Sequence, residues 1–256
     1  MPTKIRRKAL IVQHVAVESL AENFMSVLLE YRFGLDFVKI YESAPAFDSF
    51  SPPPLSSVNL LIVLGGPFSA NDDYPALLKE REYLKLALAS DLPVLGICLG
   101  AQMMARVLGG TVEPSGGYQF GLRKIDVTAI GDRDPVFGKI RTPLVPTLHG
   151  DCFTIPAGAS KLAEGHMLQR DGRYRKINMA FRHGKSYGFQ FEPQLTLDEF
   201  KVWNRELRGD YKLMGVNFDP EEEAERNERE FVKFAPQHEA QMRELFIAFL
   251  KNAGLI

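Results

Sequence analysis

The sequence predicts an α/β fold: a doubly wound, mostly parallel sheet with flanking helices, plus a small antiparallel β element. Three observations carry that expectation. Short apolar runs alternate with stretches of helical period through residues 9–108. A middle rich in Gly, Pro and β-like runs then breaks the alternation, from about 111 to 185. Past Thr196 the chain turns helical and charged. Strand–helix alternation of the first kind gives parallel strands joined by crossover helices that cover both sheet faces.

Taken in order, residues 9–13 read as a strand, 20–31 as a helix and 35–40 as a second strand. A proline-rich connector, Ser51-Pro52-Pro53-Pro54, leads to a strand over 60–64. The helix at 75–89 has Pro75 suited to its first turn and Asp73 as its cap. The apolar run 94–97 is a buried strand, and 99–108 a helix with Met103, Val107 and Leu108 on one face. In the middle, 122–127 and 144–148 are antiparallel strands appended to the same core, and 185–192 is a strand that returns to the sheet. The charged stretch 221–230 is expected as a solvated helix face or mobile arm. The last helix carries Met242, Leu245, Phe246, Phe249 and Leu250 at helical spacing, so it packs on the domain. No repeat or boundary stands out; residues 1–256 are expected as one domain with a helical C-terminal extension over about 204–256.

Bulk properties narrow the function. The 256 residues are 45% hydrophobic and 25% charged, with a formal net charge of −1. No global field draws such a chain to nucleic acid or a membrane surface. The basic start, Lys4-Ile5-Arg6-Arg7-Lys8, reads as a solvated end. No apolar run approaches the ~20 residues of a membrane span, and no signal-peptide pattern is visible. Two cysteines and five histidines without ligand spacing speak against a disulfide framework or zinc site, so a cytoplasmic setting without metal is the expectation.

The chemistry gathers around Leu95-Gly96-Ile97-Cys98-Leu99-Gly100-Ala101-Gln102. Gly96 and Gly100 flank the cysteine as in a nucleophile elbow and are expected to serve the turn rather than packing. The thiol would stand at a helix N-terminus, where the dipole favours thiolate. In a doubly wound sheet ligands bind at the carboxyl ends of strands, where Cys98, the Gly65-Gly66-Pro67 turn and His14 all fall. Read singly, Gly65-Gly66-Pro67 is a plain turn; a buried structural cysteine is the alternative for Cys98, against which its flanking glycines speak.

Together with Ser69-Ala70-Asn71-Asp72, His149-Gly150-Asp151 and Ala180-Phe181-Arg182 followed by Gly188-Phe189-Gln190-Phe191, these segments resemble class I glutamine amidotransferases. The likeness is to the stand-alone proteins similar to the glutaminase domain of GMP synthase, over about residues 10–200. It implies a flavodoxin-like three-layer fold, no cofactor, and a Cys-His-Glu triad that hydrolyses the amide of glutamine and passes ammonia to an acceptor domain or a separate synthetase chain. Carried onto this chain, Cys98 attacks the amide carbon to form a thioester, and backbone N–H groups of Leu99 and the Gly65-Gly66 turn hold the oxyanion. Gln102 binds the amino-acid end of glutamine, and His149, Gly150 and Asp151 line its pocket chiefly through backbone.

The chain departs from the family at one place. Where the family motif is Gln-Phe-His-Pro-Glu, this sequence has Gln190-Phe191-Glu192-Pro193-Gln194. Moving a proton from Cys to His costs about 3 kcal/mol from ordinary pKa values, and to Glu about 6 kcal/mol. An ionised carboxylate ~4 Å away would oppose thiolate by up to about 4 kcal/mol. Turnover is therefore expected to fall by at least ~100-fold relative to an intact triad. The two changes suit each other, since neutral Gln194 can donate to Glu192, and Glu192 can stay protonated in an apolar pocket. His14 and His149 are candidate substitute bases; His183 reads as a turn residue, and His166 and His238 as surface or core. Three functions stay open: a glutaminase with an altered triad, a non-catalytic binder of a glutamine-like ligand or protein partner, and a different cysteine hydrolase of γ-glutamyl compounds.

Overall fold

The computed structural model describes residues 7–215 and 218–256. Residues 4–6 of the basic start lie outside them, while Arg7 and Lys8 are exposed. The first half follows β1 (Lys8–Gln13), α1 (Ala21–Glu30), β2 (Gly34–Lys39), β3 (Leu60–Val63), α2 (Pro75–Ala89), β4 (Val94–Ile97) and α3 (Leu99–Val107). The middle contains β5 (Val112–Lys124), β6 (Asp126–Val127), α4 (Ala129–Arg133), β7 (Leu144–Phe153), β8 (Ser160–Leu168), β9 (Tyr174–His183) and β10 (Ser186–Phe189). Helices α5 (Leu197–Glu206) and α6 (Pro220–Asn252) follow, separated by the 3-10 helix Arg208–Met214.

The main sheet has the order β2-β1-β3-β4-β10-β9-β8-β6, and β5 pairs with β7 in a separate two-stranded sheet. Its pairs from β2 to β10 are parallel; those from β10 outward are antiparallel. Successive strand residues point to opposite faces. Ala9, Ile11, Leu60 and Ile62 therefore pack with Phe24 and Val27 of α1 and with Leu245, Phe246 and Phe249 of α6. Leu10, Val12, Leu61 and Val63 face the other way, onto Leu84 of α2 and Met103 and Met104 of α3. A third cluster joins Phe120, Leu122 and Leu148 of the small sheet to Phe200, Trp203, Tyr211 and Phe231.

Several expectations are revised. Asp73 does not cap α2: the N-cap is Tyr74, without a side-chain cap, and Asp73 pairs with Arg81 at 3.2 Å. The returning strand is shorter than 185–192; it ends at Phe189, with the Gln190 N–H still donating to Met179 O of β9 at 2.9 Å. The stretch 221–230 is neither an arm nor simply a solvated face. It opens α6, capped by Asp219 Oδ1 accepting from the N–H of Glu221 (2.9 Å) and Glu222 (3.1 Å), and it buries Glu223, Ala224 and Asn227. Gly96 and Gly100 do not take positive φ; Cys98 does (50°). The glycines serve close packing instead. A Cβ on Gly100 would stand 2.1 Å from the Val63 carbonyl oxygen, and one on Gly96 2.5 Å from Met104 Sδ. The residue that absorbs the turn is the cysteine itself.

Candidate active site

The carboxyl ends of β1, β3, β4 and β10 converge, as the parallel order requires. Cys98, at the bend between β4 and α3, has φ 50° and ψ −107°, and its N–H donates to the Phe189 carbonyl at 2.8 Å. That bond ties the bend to β10, and so to the segment carrying Glu192. The thiol borders a cavity of about 340 Å³ that is also lined by Glu18, Gly66, Ser69, Gln102, Tyr118 and Asp210, among others.

Glu192 and Gln194 are each only 1% exposed. The Glu192 N–H donates to Pro146 O at 2.9 Å, and Gln194 Nε2 donates to Glu192 Oε2 at 2.9 Å. The expected compensation by Gln194 is therefore a formed hydrogen bond. The Glu192 carboxyl and the Cys98 thiol influence one another's titration. Burial pushes Glu192 up to about 7, against the lowering effect of its hydrogen bonds with Gln194 and Cys98. Burial also pushes the thiol well above its usual range, and the charges of Glu192 and Glu18 push the same way, while the Leu99 N–H opposes them. Cys98 is therefore a thiol at rest, with Sγ 3.5 Å from Leu148 O as donor and 3.6 Å from Gln190 Nε2 as acceptor. The helix dipole does not make it a thiolate, contrary to the sequence expectation, because burial and two neighbouring carboxyls outweigh it.

Gln102 reaches the cavity, but its Nε2 donates to Gln190 Oε1 at 3.2 Å. It thus braces the amide that touches the sulfur. Gly66 lines the cavity, and a Cβ there would fall 2.5 Å from the His14 Cβ and 3.3 Å from Leu99 Cδ2, so glycine permits this close approach. His149, Gly150 and Asp151 also line it. The Asp151 carboxylate accepts from Ser69 Oγ at 3.0 Å. His149 Nδ1 donates to Asp151 O at 3.0 Å, leaving Nε2 as a buried acceptor without a hydrogen-bond partner. Burial lowers this imidazole to about 4, so it is neutral at pH 7.

His14 does not join the thiol as a base. Its Nδ1 lies 3.0 Å from Gly65 O and its Nε2 3.0 Å from Glu80 Oε2, both acceptors. Burial pulls its pKa down, but the Glu80 charge and these hydrogen bonds outweigh that, leaving it raised. Both ring nitrogens face acceptors other than the thiol, so neither is placed to take its proton. Its role is to anchor the Gly65-Gly66 turn. His183 ends β9 at its hairpin to β10, His166 lies beside Asp126 at 3.5 Å, and His238 is fully buried.

Glu18, Tyr118, Asp210 and Gln190 were not singled out by the sequence as site residues. A Cβ on Gly65 would fall 2.1 Å from Glu18 Oε2 and 3.3 Å from Cys98 Cβ, so this carboxyl and the nucleophile candidate abut the same glycine. Burial, then the charges of Glu192 and Asp210, push Glu18 well above the carboxylate range. Among the described residues, no group of three or more His, Cys, Asp or Glu could hold a metal ion, and no helix is long and apolar enough to cross a membrane.

Comparison with known proteins places these features in context. The family model for glutamine amidotransferase class-I matches residues 16–208. Over 141 residues the chain is 31% identical to one of the subunits of the glutamine-hydrolyzing GMP synthase of Haloquadratum walsbyi, covering 54% of this chain and 67% of that one. Over 151 residues it is 41% identical to the glutamine-hydrolyzing GMP synthase of Petrotoga mobilis, covering 58% of this chain but 27% of that protein. Among solved structures, a glutamine amidotransferase from Thermotoga maritima matches with TM-score 0.76 and 24% identity over 97% of this chain and 98% of that one. One from Methylobacillus flagellatus matches with TM-score 0.80 and 21% identity over 96% and 95%. At these identities the solved structures speak for the fold alone.

Proposed function

The chain belongs to the class I glutamine amidotransferase family, and on that premise we propose that it hydrolyses the side-chain amide of glutamine through a Cys98 thioester, with Glu192 as the proton acceptor. The observation that carries this reading is the buried Glu192 carboxyl, fixed by Gln194 and electrostatically coupled to a thiol that borders the cavity. A carboxyl held at about 7 is as basic as a free imidazole. The expected cost of replacing histidine, reckoned from an ordinary glutamate, is correspondingly smaller.

In the proposed reaction Cys98 Sγ bonds the amide carbon while Glu192 takes the thiol proton, so no free thiolate accumulates. Backbone N–H groups of Leu99 and Gly66 hold the oxyanion. The C–N bond breaks as Glu192 returns the proton to nitrogen, and ammonia leaves. Water, deprotonated by Glu192, then cleaves the thioester and restores the thiol. A relative named as one subunit of a glutamine-hydrolyzing synthase supports glutamine as substrate and a separate chain as ammonia acceptor. Two unpaired, buried cysteines suit a cytoplasmic setting. Leu207 and Asp210 at the cavity support one domain that includes the extension.

A second reading, ligand binding without turnover, is favoured by the resting thiol donating to Leu148 O. Ammonia release from glutamine by the purified protein separates the two. Release that disappears in Cys98→Ala is the expected result. No release from the wild type, with release gained in a Glu192→His, Gln194→Glu double variant, supports the binding reading instead.

A further inference from the structure

A carboxylate and an imidazole differ in what they leave behind after taking a thiol proton. The imidazole becomes a cation beside the sulfur, whereas the carboxylate becomes neutral. Among the described residues no lysine or arginine lines the cavity either. The negative charge that builds on Cys98 Sγ must therefore be met by neutral donors. A relay of two buried amides supplies one. Gln102 Nε2 lies 3.5 Å from Asp151 O and 3.2 Å from Gln190 Oε1. A backbone carbonyl only accepts, so Asp151 O fixes which end of the Gln102 amide points this way, and Gln190 answers with its oxygen. That leaves Gln190 Nε2 facing the sulfur, at 3.6 Å. Gln190 is 0% exposed and Gln102 3%, so the relay is shielded from water. The Gln190 main-chain N–H donates to Met179 O at 2.9 Å, and its neighbour Phe189 accepts from the Cys98 N–H at 2.8 Å. Donor and sulfur are thus held on the same bend before any reaction begins.

We infer that Gln190 is a further catalytic residue: its side-chain N–H, aimed by Gln102, stabilises the negative charge that develops on Cys98 Sγ. It does so as the proton leaves for Glu192, and again as the sulfur departs from the thioester. The amide N–H bond stays intact in both steps; Gln190 donates a hydrogen bond and transfers nothing. Gln102 is then a positioning residue. The place of this bond in a reaction rests on the hydrolytic reading above, while the donation to sulfur rests on the amide relay alone. At rest the sulfur gives its own proton to Leu148 O, 3.5 Å away, so a lone pair faces Gln190. The ionisable groups that interact with this sulfur are Glu192 after β10, Glu18 after β1 and Tyr118 of β5. Neither glutamine titrates, so the relay serves the sulfur at every pH at which Glu192 can accept.

Alkylation of Cys98 by iodoacetamide tests this without relying on turnover, because the reagent reads the thiolate. Quantifying the labelled peptide keeps Cys152 separate. Gln190→Met fills a similar unbranched space without a donor. Its alkylation rate should fall about tenfold at each pH from 7 to 9, a displacement of the profile by about one pH unit. Loosened packing would act the other way, since it exposes the thiol and speeds the label. Gln102→Met, which frees the Gln190 amide to turn, should also slow alkylation, and it decides should Gln190→Met fail to fold. The slowing should persist in a Glu192→Gln background. In turnover, Gln190→Met should lower kcat about tenfold or more and leave KM for glutamine within about twofold. Unchanged or faster alkylation in either variant, slowing that vanishes without the Glu192 carboxyl, or a rise in KM alone overturns the inference. Cys98-dependent ammonia release with alkylation unchanged in Gln190→Met overturns this inference alone. Slower alkylation in Gln190→Met, with no ammonia release from the wild type, overturns the hydrolytic reading alone.

Discussion

Glu192→Gln is expected to lower Cys98-dependent amide hydrolysis by at least ~100-fold, the scale of a lost general base. The amide has nearly the shape of the carboxyl but cannot accept the thiol proton. The same change should stabilise the fold above neutral pH, and the sign follows from the direction of the shift. Glu192 is raised from an ordinary 4.5 to about 7 in the folded protein. Its neutral form is therefore favoured by folding. The associated stability is full below the ordinary value and is lost as pH rises toward the raised one. A shift of this size corresponds to on the order of 3 kcal/mol, and a permanently neutral glutamine does not lose it. Denaturant unfolding at pH 5 and pH 8 beside the ammonia assay reads both effects. Lower activity with higher stability at pH 8 is the expected pair; lower stability at pH 8 would make Glu192 a packing residue.

Gly100→Ala is expected to cost about 3 kcal/mol and to lower the thermal midpoint by roughly 6–12 °C. The added methyl would stand 2.1 Å from Val63 O and 2.8 Å from Val63 C, both backbone atoms of a central strand. Neither β3 nor α3 can yield locally, because Val63 is paired in register with Gly96 and Val12 on its two sides. A Cβ on Gly209 meets nothing within 4 Å, so Gly209→Ala is the matched control. Equal midpoints for the two variants would show that the bend does not depend on the close helix–strand approach.

Much of this was legible in the sequence because parallel strands buried on both faces announce themselves as continuous apolar runs. The runs at 9–13, 60–64 and 94–97 correspond to β1, β3 and β4, and Cys98 follows the last as expected. β8 and β9 were harder. They mix Lys161, Glu164, Arg175 and Lys176 with buried Leu162, Met167 and Ile177, so no continuous apolar run marks them. The role of Gly100 depends on an atom of Val63, a neighbour only after folding. His14 looked available because it follows a strand; Glu80 of α2, far along the chain, decides otherwise. Glu18 sits in a loop with no motif around it, and Asp210 in a short 3-10 helix beyond the recognisable core. The direction of the Glu192 shift was legible, since an apolar pocket keeps a carboxyl protonated; its extent was not. An isolated glutamate titrates near 4.3, and only the folded pocket moves it to about 7.

The most direct test of a carboxyl acting where an imidazole is expected is the pH dependence of kcat/KM for glutamine, between pH 5 and 9. The account predicts a rate that rises with pH as Glu192 ionises, with an apparent midpoint near 7, and no such limb in the residual activity of Glu192→Gln. A wild-type profile flat through neutrality, or the same limb persisting in the variant, would contradict it.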